Sequence, residues 1–139
     1  MKPTKIYYWS PFLSPIATCK AVLNSAYSLN KYSNKYQSFI INFYGEFDDF
    51  KSKNKEINYI DYYKLNLIKK FPYKGKIKSR FSFILMFLLG FFPLKKLLKK
   101  SKPDYLIIHL ITSLPLILLI FFNFETKFIL RISGYPKMN

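Results

Sequence analysis

Hydrophobic and polar positions change period several times along this chain, and each change marks an element. Lys5–Phe12 (KIYYWSPF) is β-branched and aromatic and predicts a first, central strand, ended by Ser10-Pro11. Ser14-Pro15 predicts a helix start, with a serine cap and proline at the first helical position. Cys19, Val22, Leu23, Ala26 and Leu29 follow at helical spacing and form one apolar face, and Asn30 to Asn34 is a polar stop. Gln37–Phe43 (QSFIINF) predicts a second strand and Gly45–Glu56 a loop. Glu56–Tyr62 (EINYIDY) predicts a short alternating third strand at or near a sheet edge. Strands separated by a helix of this length imply a parallel pair with a crossover.

From residue 64 the pattern differs. Phe81–Leu94 is fourteen residues without a charge, flanked by Lys74, Lys76, Lys78 and Arg80 before it and Lys95, Lys96, Lys99, Lys100 and Lys102 after it. The run is apolar around its whole circumference and shorter than the roughly 20 residues of a membrane-spanning helix. It predicts a helix that either fills a core or dips into a bilayer. After the breaker Pro103-Asp104, the stretch Tyr105–His109 (YLIIH) reads as a strand covered on both faces. Thr112 or Ser113 caps a helix to about Phe122, Asn123–Glu125 turns, Thr126–Arg131 is a fifth strand, and Ser133–Pro136 is a loop. By hydropathy alone Tyr105–Phe124, twenty residues with no formal charge, is also a transmembrane candidate. Pro115 in mid-segment, the cost of an ionisable His109 in a bilayer, and the natural break at Thr112-Ser113 favour strand plus helix. The expectation is one α/β domain over residues 1–139, Rossmann-like, with a mostly parallel sheet and flanking helices, cut off inside a loop.

Composition changes this picture in two ways. The chain is half apolar, enough for a core, and carries a net charge of +16. Such a charge suits acidic substrates, anionic lipid headgroups or nucleic acid. Yet Arg80 and Arg131 are the only arginines and Ala17, Ala21 and Ala26 the only alanines, amid abundant Lys, Asn, Ile, Phe and Tyr. An AT-rich coding bias produces the same lysines as a merely solvated surface. The lysines are not interleaved with a nucleic-acid-binding motif, so nucleic acid is not an expected partner. A single cysteine, Cys19, excludes an internal disulfide and a cysteine-built zinc site and fits a reducing, cytoplasmic compartment. No signal peptide follows Lys2 and Lys5.

Candidate chemistry gathers at the carboxyl ends of the strands, where open parallel sheets bind ligands. Ser10 to Ser14 leads into a helix start that favours anions, though an ordinary strand-to-helix connection explains the same residues. His109, the sole histidine, ends the fourth strand as a candidate general base or hydrogen-bond partner; a structural role beside apolar residues is the alternative. Gly134 follows the fifth strand on the same edge, where it permits unusual backbone near a ligand or simply shapes a turn. Asp48, Asp49, Glu56, Asp61, Asp104 and Glu125 are scattered, and no metal set, phosphate loop or nucleophile elbow is visible. The basic-flanked apolar run offers Lys78, Arg80, Phe81, Phe83, Phe87, Lys95, Lys96 and Lys99 as membrane contacts. Lysines near an anionic leaflet gain roughly 1 kcal/mol each, and a buried helix packed on the sheet is the alternative.

The order β-α-β-β, a basic-apolar helical stretch, then K-P-D-x-x-x-x-H, a helix, and a strand ending in R-I-S-G-Y-P, resembles the N-terminal domain of GT-B glycosyltransferases of family 4. Pro103, Asp104 and His109 match the spacing of that family's motif, whose histidine faces the acceptor sugar, and Gly134 matches its next glycine-containing loop. The resemblance covers essentially the whole chain. It implies the acceptor-side half of a GT-B enzyme, a hexosyltransferase type, with His109 catalytic and Ser10, Ser14, Gly134 and Tyr135 near acceptor or substrate. The complete enzyme would take sugar from a nucleotide-sugar donor, with no obligatory metal. A saccharide or lipid-linked acceptor would receive it at the inner face of the cytoplasmic membrane, in polysaccharide, lipopolysaccharide or glycolipid synthesis. The family's glycine-rich first loop is missing from Ser10–Ser14, and its second domain, with an E-x7-E pair, is not in these residues. A small basic non-enzymatic membrane protein with one or two membrane helices is the rival expectation.

Overall fold

The computed structural model describes residues 2–15, 17–72, 74–109 and 113–131. Its elements are β1 (Thr4–Trp9), α1 (Ala17–Tyr32), β2 (Tyr36–Asn42), α2 (Asp48–Lys51), β3 (Asn58–Asp61), α3 (Lys76–Ser101), β4 (Tyr105–His109), α4 (Leu114–Phe121) and β5 (Lys127–Arg131). The strands form one sheet in the order β3-β2-β1-β4-β5, and every pairing is parallel. Helices flank both faces, which makes this an α/β fold compatible with the Rossmann type. β1 is central and β3 an edge, as the residue pattern predicts.

Alternation along each strand builds two cores. Tyr7, Trp9, Ile41, Leu106 and Ile108 meet Met86, Leu94 and Leu98 of α3 and Leu114 and Leu118 of α4 on one face. Ile6, Tyr8 and Ile40 meet Cys19, Val22, Leu23 and Ala26 of α1 on the other. Burial pushes the Cys19 thiol up to about 11, so it is an inert core group.

The segment Tyr105–Phe124 divides as predicted, β4 before the break and α4 after it. Asp104 anchors that division. Its Oδ2 accepts the Lys5 N–H at 2.7 Å and its carbonyl accepts the Lys127 N–H at 2.9 Å. It thereby pins the start of β4 between β1 and β5, so the aspartate of the P-D-x-x-x-x-H stretch has a role in sheet assembly. Lys102, in the left-handed conformation (φ 41°), closes α3 just before Pro103.

Two elements differ from expectation. The Gly45–Glu56 stretch contains the short α2 rather than loop alone. The apolar run becomes 26 residues of α3, because the flanking lysines, good helix formers, extend it at both ends. Among the described residues α3 is the one helix long and apolar enough to cross a membrane, with a mean hydropathy of 1.8 over its best window.

Inside α3, Pro93 has no N–H for the Leu89 carbonyl four residues back. Tyr63 Oη donates to that carbonyl at 2.9 Å. Tyr44 Oη donates to the Met86 carbonyl at 2.5 Å, lying where a Cβ on Gly90 would intrude. Two tyrosines from the loops after β2 and β3 therefore clamp α3 to the sheet.

Candidate functional site

The parallel register sets Tyr8 beside Ile40, Trp9 beside Ile108, Asn42 beside Asp61 and His109 beside Arg131. Continuing each pairing to the strand ends gives one row across the carboxyl edge: Asp61, Asn42, Ser10, His109, Arg131. Two residues earlier the same row is Tyr59, Ile40, Tyr8, Ile107 and Ile129, of which the first four pack in the α1-side core. Alternation therefore puts the polar row on that face as well.

The chain leaves β1 toward β2 on one side, and β4 lies on its other side, so the topology switches between β1 and β4. Ser10 and His109 meet at that point, on strands about 4.8 Å apart. Both are almost fully buried, and Ser10 Oγ and His109 Nε2 have no hydrogen-bond partner among the described residues. Burial, and after it the positive charge of Arg131, lower the His109 pKa, keeping the imidazole neutral and able to accept a proton or hydrogen bond at neutral pH. Burial raises the Tyr8 pKa, opposed by its hydrogen bond with Ser25 and by the Arg131 charge.

The other end of the row is a closed network. Asn42 Nδ2 donates to Asp61 Oδ1 at 2.6 Å and to Asp48 Oδ1 at 2.9 Å, while its Oδ1 accepts the Phe47 N–H at 2.7 Å. Lys51 bridges Asp48 and Asp61 at 3.0 and 2.6 Å. Burial pushes the Asp48 pKa up, but hydrogen bonds from Asn42 and Lys51, the Lys51 charge and a hydrogen bond from Asn66 outweigh it, and the net shift is downward. Satisfied groups of this kind hold a loop in place. By contrast, Ser10 Oγ and His109 Nε2, beside Arg131, are buried without a hydrogen-bond partner among the described residues.

Ser14 lies apart from Ser10. It is exposed and lines a cavity of about 270 Å³ between the loops that follow β1, β2 and β3. A larger cavity, about 490 Å³, lies between the end of α3 and the α4–β5 turn, lined by Leu98, Lys102 and Glu125. It is at the amino edge of the sheet, away from the polar row. Gly134 and Tyr135 lie outside the described residues.

On α3, Lys78, Arg80, Phe81, Lys96 and Lys99 face outward, and Phe83 and Phe87 are half-buried against the core. The outward apolar stripe is Ile77, Phe81, Ile84, Leu88 and Phe92, continued on α4 by Ile120 and Phe121. The Lys95 ammonium sits 3.7 Å from the Phe122 ring centre and that of Lys99 5.5 Å, which joins α3 to α4.

Residue-pattern reasoning misses Glu46, a buried carboxyl in that smaller cavity's wall, because no spacing distinguishes a lone Gly-Glu-Phe. It also misses Tyr44 and Tyr63; a proline inside an apolar helix is the signal that a donor must arrive from elsewhere. No group of three or more metal-binding side chains comes together among the described residues.

Fold and site together define an α/β protein with helices on both faces of a parallel sheet and a polar edge at its switch point. No family model, no characterised protein and no solved structure matches this chain.

Proposed function

We propose that this chain is the acceptor-side half of a GT-B glycosyltransferase of the family 4 type. In this reading the complete enzyme moves a sugar from a nucleotide donor to a saccharide or lipid-linked acceptor. The observation that carries it is the unpartnered Ser10–His109 pair at the switch point, with Arg131 next in the row. A neutral His109 accepts a hydrogen bond or proton from the acceptor hydroxyl as that oxygen attacks, and Arg131 offsets negative charge developing nearby. The uncovered β5, with Ile129 43% and Leu130 42% exposed, supports a domain to which further structure is added.

In the same reading the enzyme sits on the cytoplasmic face of an anionic membrane. The stripe Ile77, Phe81, Ile84, Leu88 and Phe92, with lysines at both ends of α3, has the composition of an interfacial helix.

The test is to translate the coding sequence past Asn139. A second Rossmann domain with two glutamates eight positions apart is expected; a stop codon directly after Asn139 would sink the reading. A second reading, a small non-enzymatic membrane protein, is favoured by the length and hydropathy of α3. Carbonate extraction separates the two: release with carbonate fits a peripheral enzyme, and resistance with a protease-protected α3 fits the spanning protein.

A further inference from the structure

The outward line of α3 changes chemistry along its length. Ile77, Phe81, Ile84, Leu88 and Phe92 succeed one another at steps of three and four residues, and the next two positions on the same line are Lys95 and Lys99. The apolar stripe is therefore closed at one end by cations on its own line. The larger cavity, at the amino edge of the sheet, begins at that end, with Lys99 and Lys102 in its wall.

A row of aromatic rings joins the stripe to the cavity. Phe92 meets Phe91 at 5.3 Å between ring centres, Phe91 meets Phe122 at 6.3 Å, and Phe122 meets Phe124 at 6.4 Å. Phe92 is exposed on the stripe, and Phe124 lines the cavity. The Lys95 and Lys99 ammonium groups stand over Phe122, so positive charge accompanies the row. Apolar surface thus runs from the cavity wall to the outward face of α3 beside a set of cations.

The wall defines what sits at the cavity end. Its volume, about 490 Å³, falls within the roughly 300–1,000 Å³ of small-molecule sites. Leu98 and Phe124 are its apolar part, and Lys99, Lys102, Asn123 and Glu125 its polar part. Lys102 pairs with Glu125 at 2.5 Å, while Lys99 has no carboxylate partner among the described residues. The wall carries one more cation than anion, which suits a group of single negative charge. Inorganic phosphate, with more than one charge, would be set against Glu125 and would leave Leu98 and Phe124 uncovered. A phosphodiester bears a single charge, and Asn123 and Glu125 can take the hydroxyls of its polar substituent.

We infer that this cavity seats the phosphodiester of one anionic phospholipid between Lys99 and Lys102, with an acyl chain along Phe124, Phe122 and Phe91. The anionic head and apolar tail rest on the cavity and the ring row; that the amphiphile is a membrane lipid rests on the proposed membrane docking.

Calorimetry on the 139-residue chain tests this, with dihexanoylphosphatidylglycerol below its micelle concentration, glycerophosphoglycerol and inorganic phosphate as probes. The lipid is expected to bind about tenfold or more tighter than either chainless probe, because only its chains cover the rings. Lys99→Gln and Lys102→Gln, at exposed positions, should each weaken it about fivefold, the scale of one lysine at a lipid headgroup. Lys100→Gln, the same loss of charge at an exposed position outside the wall, should leave it unchanged. No binding of the lipid, equal binding of a chainless probe, unchanged affinity in both wall variants, or an equal loss in Lys100→Gln would each overturn the inference. Co-sedimentation with phosphatidylglycerol vesicles separates it from the docking reading. Vesicle binding without binding of the soluble lipid would overturn the inference and leave docking by α3 intact. Soluble-lipid binding that depends on Lys99 and Lys102, without vesicle binding, would support the cavity site and remove membrane docking.

Discussion

Helices α1 and α3 pack on opposite faces of one sheet, and each buries a stripe at helical spacing. On α1 it is Cys19, Val22, Leu23 and Ala26; on α3 it is Ser82, Met86, Gly90, Leu94 and Leu98. Their outward faces differ. α1 presents Lys20, Asn24, Ser28 and Lys31 to water. α3 presents Ile77, Phe81, Ile84, Leu88 and Phe92, with Ile77 84% and Phe92 72% exposed. A coding bias that enriches lysine everywhere accounts for the lysines on α1. The same bias enriches Ile and Phe, but it acts on every position alike and does not account for their gathering on the outward face of one helix. Neither does packing, because the buried stripe of α3 is already complete. The outer face of α3 is thus apolar for a reason other than this domain's core, and membrane docking under the proposed function is such a reason.

The comparison breaks first if α3 is not clamped as described. Gly90→Ala puts a Cβ at 2.1 Å from Tyr44 Oη. It should cost about 3 kcal/mol or more, as overpacking and a lost hydrogen bond combine, and denaturant unfolding measures it. Lys20→Ala, on the outer face of α1, should change stability by less than about 0.5 kcal/mol.

Vesicle partitioning sharpens the contrast. Replacing Lys78, Arg80 and Lys96 by glutamine should weaken binding to anionic vesicles about 100-fold, from roughly 1 kcal/mol each. Removing Lys20 and Lys31 from α1 should change it little. Equal losses from both helices would mean that the attraction is a property of net charge alone.

The loop after β2 spans both faces, since Tyr44 enters one core and Phe47 the other, and Glu46 between them gives a pH signature. Burial raises its pKa from the ordinary 4.5 to about 8. The folded state therefore holds a proton that the unfolded chain releases. The stability due to that proton is fully present below pH 4.5 and lost as pH rises toward 8, by an amount on the order of several kcal/mol. Glu46→Gln should flatten this slope in melts from pH 5 to 8. The lowered pKa of His109 acts with the opposite sign, costing stability as pH falls below 6.5.

The smallest effect is the most specific. Tyr63→Phe should cost about 1 kcal/mol, because Pro93 leaves the Leu89 carbonyl without its helical donor. In a Pro93→Ala background, which restores that N–H, the same change should cost clearly less. Equal costs in the two backgrounds would refute the clamp.

Much of the fold was legible from periodicity. β4 begins and ends where the YLIIH run does, β1 is central and β3 is an edge, and the break before Ser113 separates a strand from a helix that hydropathy alone would fuse. The extent of α3 is not legible, because nothing in a run of lysines marks whether it continues a helix or ends it. Ser10 and His109 could be assigned to one edge from the residues alone. Their place in a single row with Asn42, Asp61 and Arg131 depends on register, which unlike residues on separate strands do not announce. Glu46 was invisible because its cavity is assembled from three loops distant in the chain.

The most direct measurement is sugar transfer by the complete enzyme, with nucleotide-sugar donors and membrane lipid extract as acceptor source, comparing wild type with His109→Ala. The result expected is incorporation of label from at least one donor into a saccharide or lipid product. His109→Ala should lower it by about 100-fold or more in protein that is still folded by circular dichroism. Incorporation equal in the variant and the wild type, or none from any nucleotide sugar, would contradict the role given to the β1–β4 switch point.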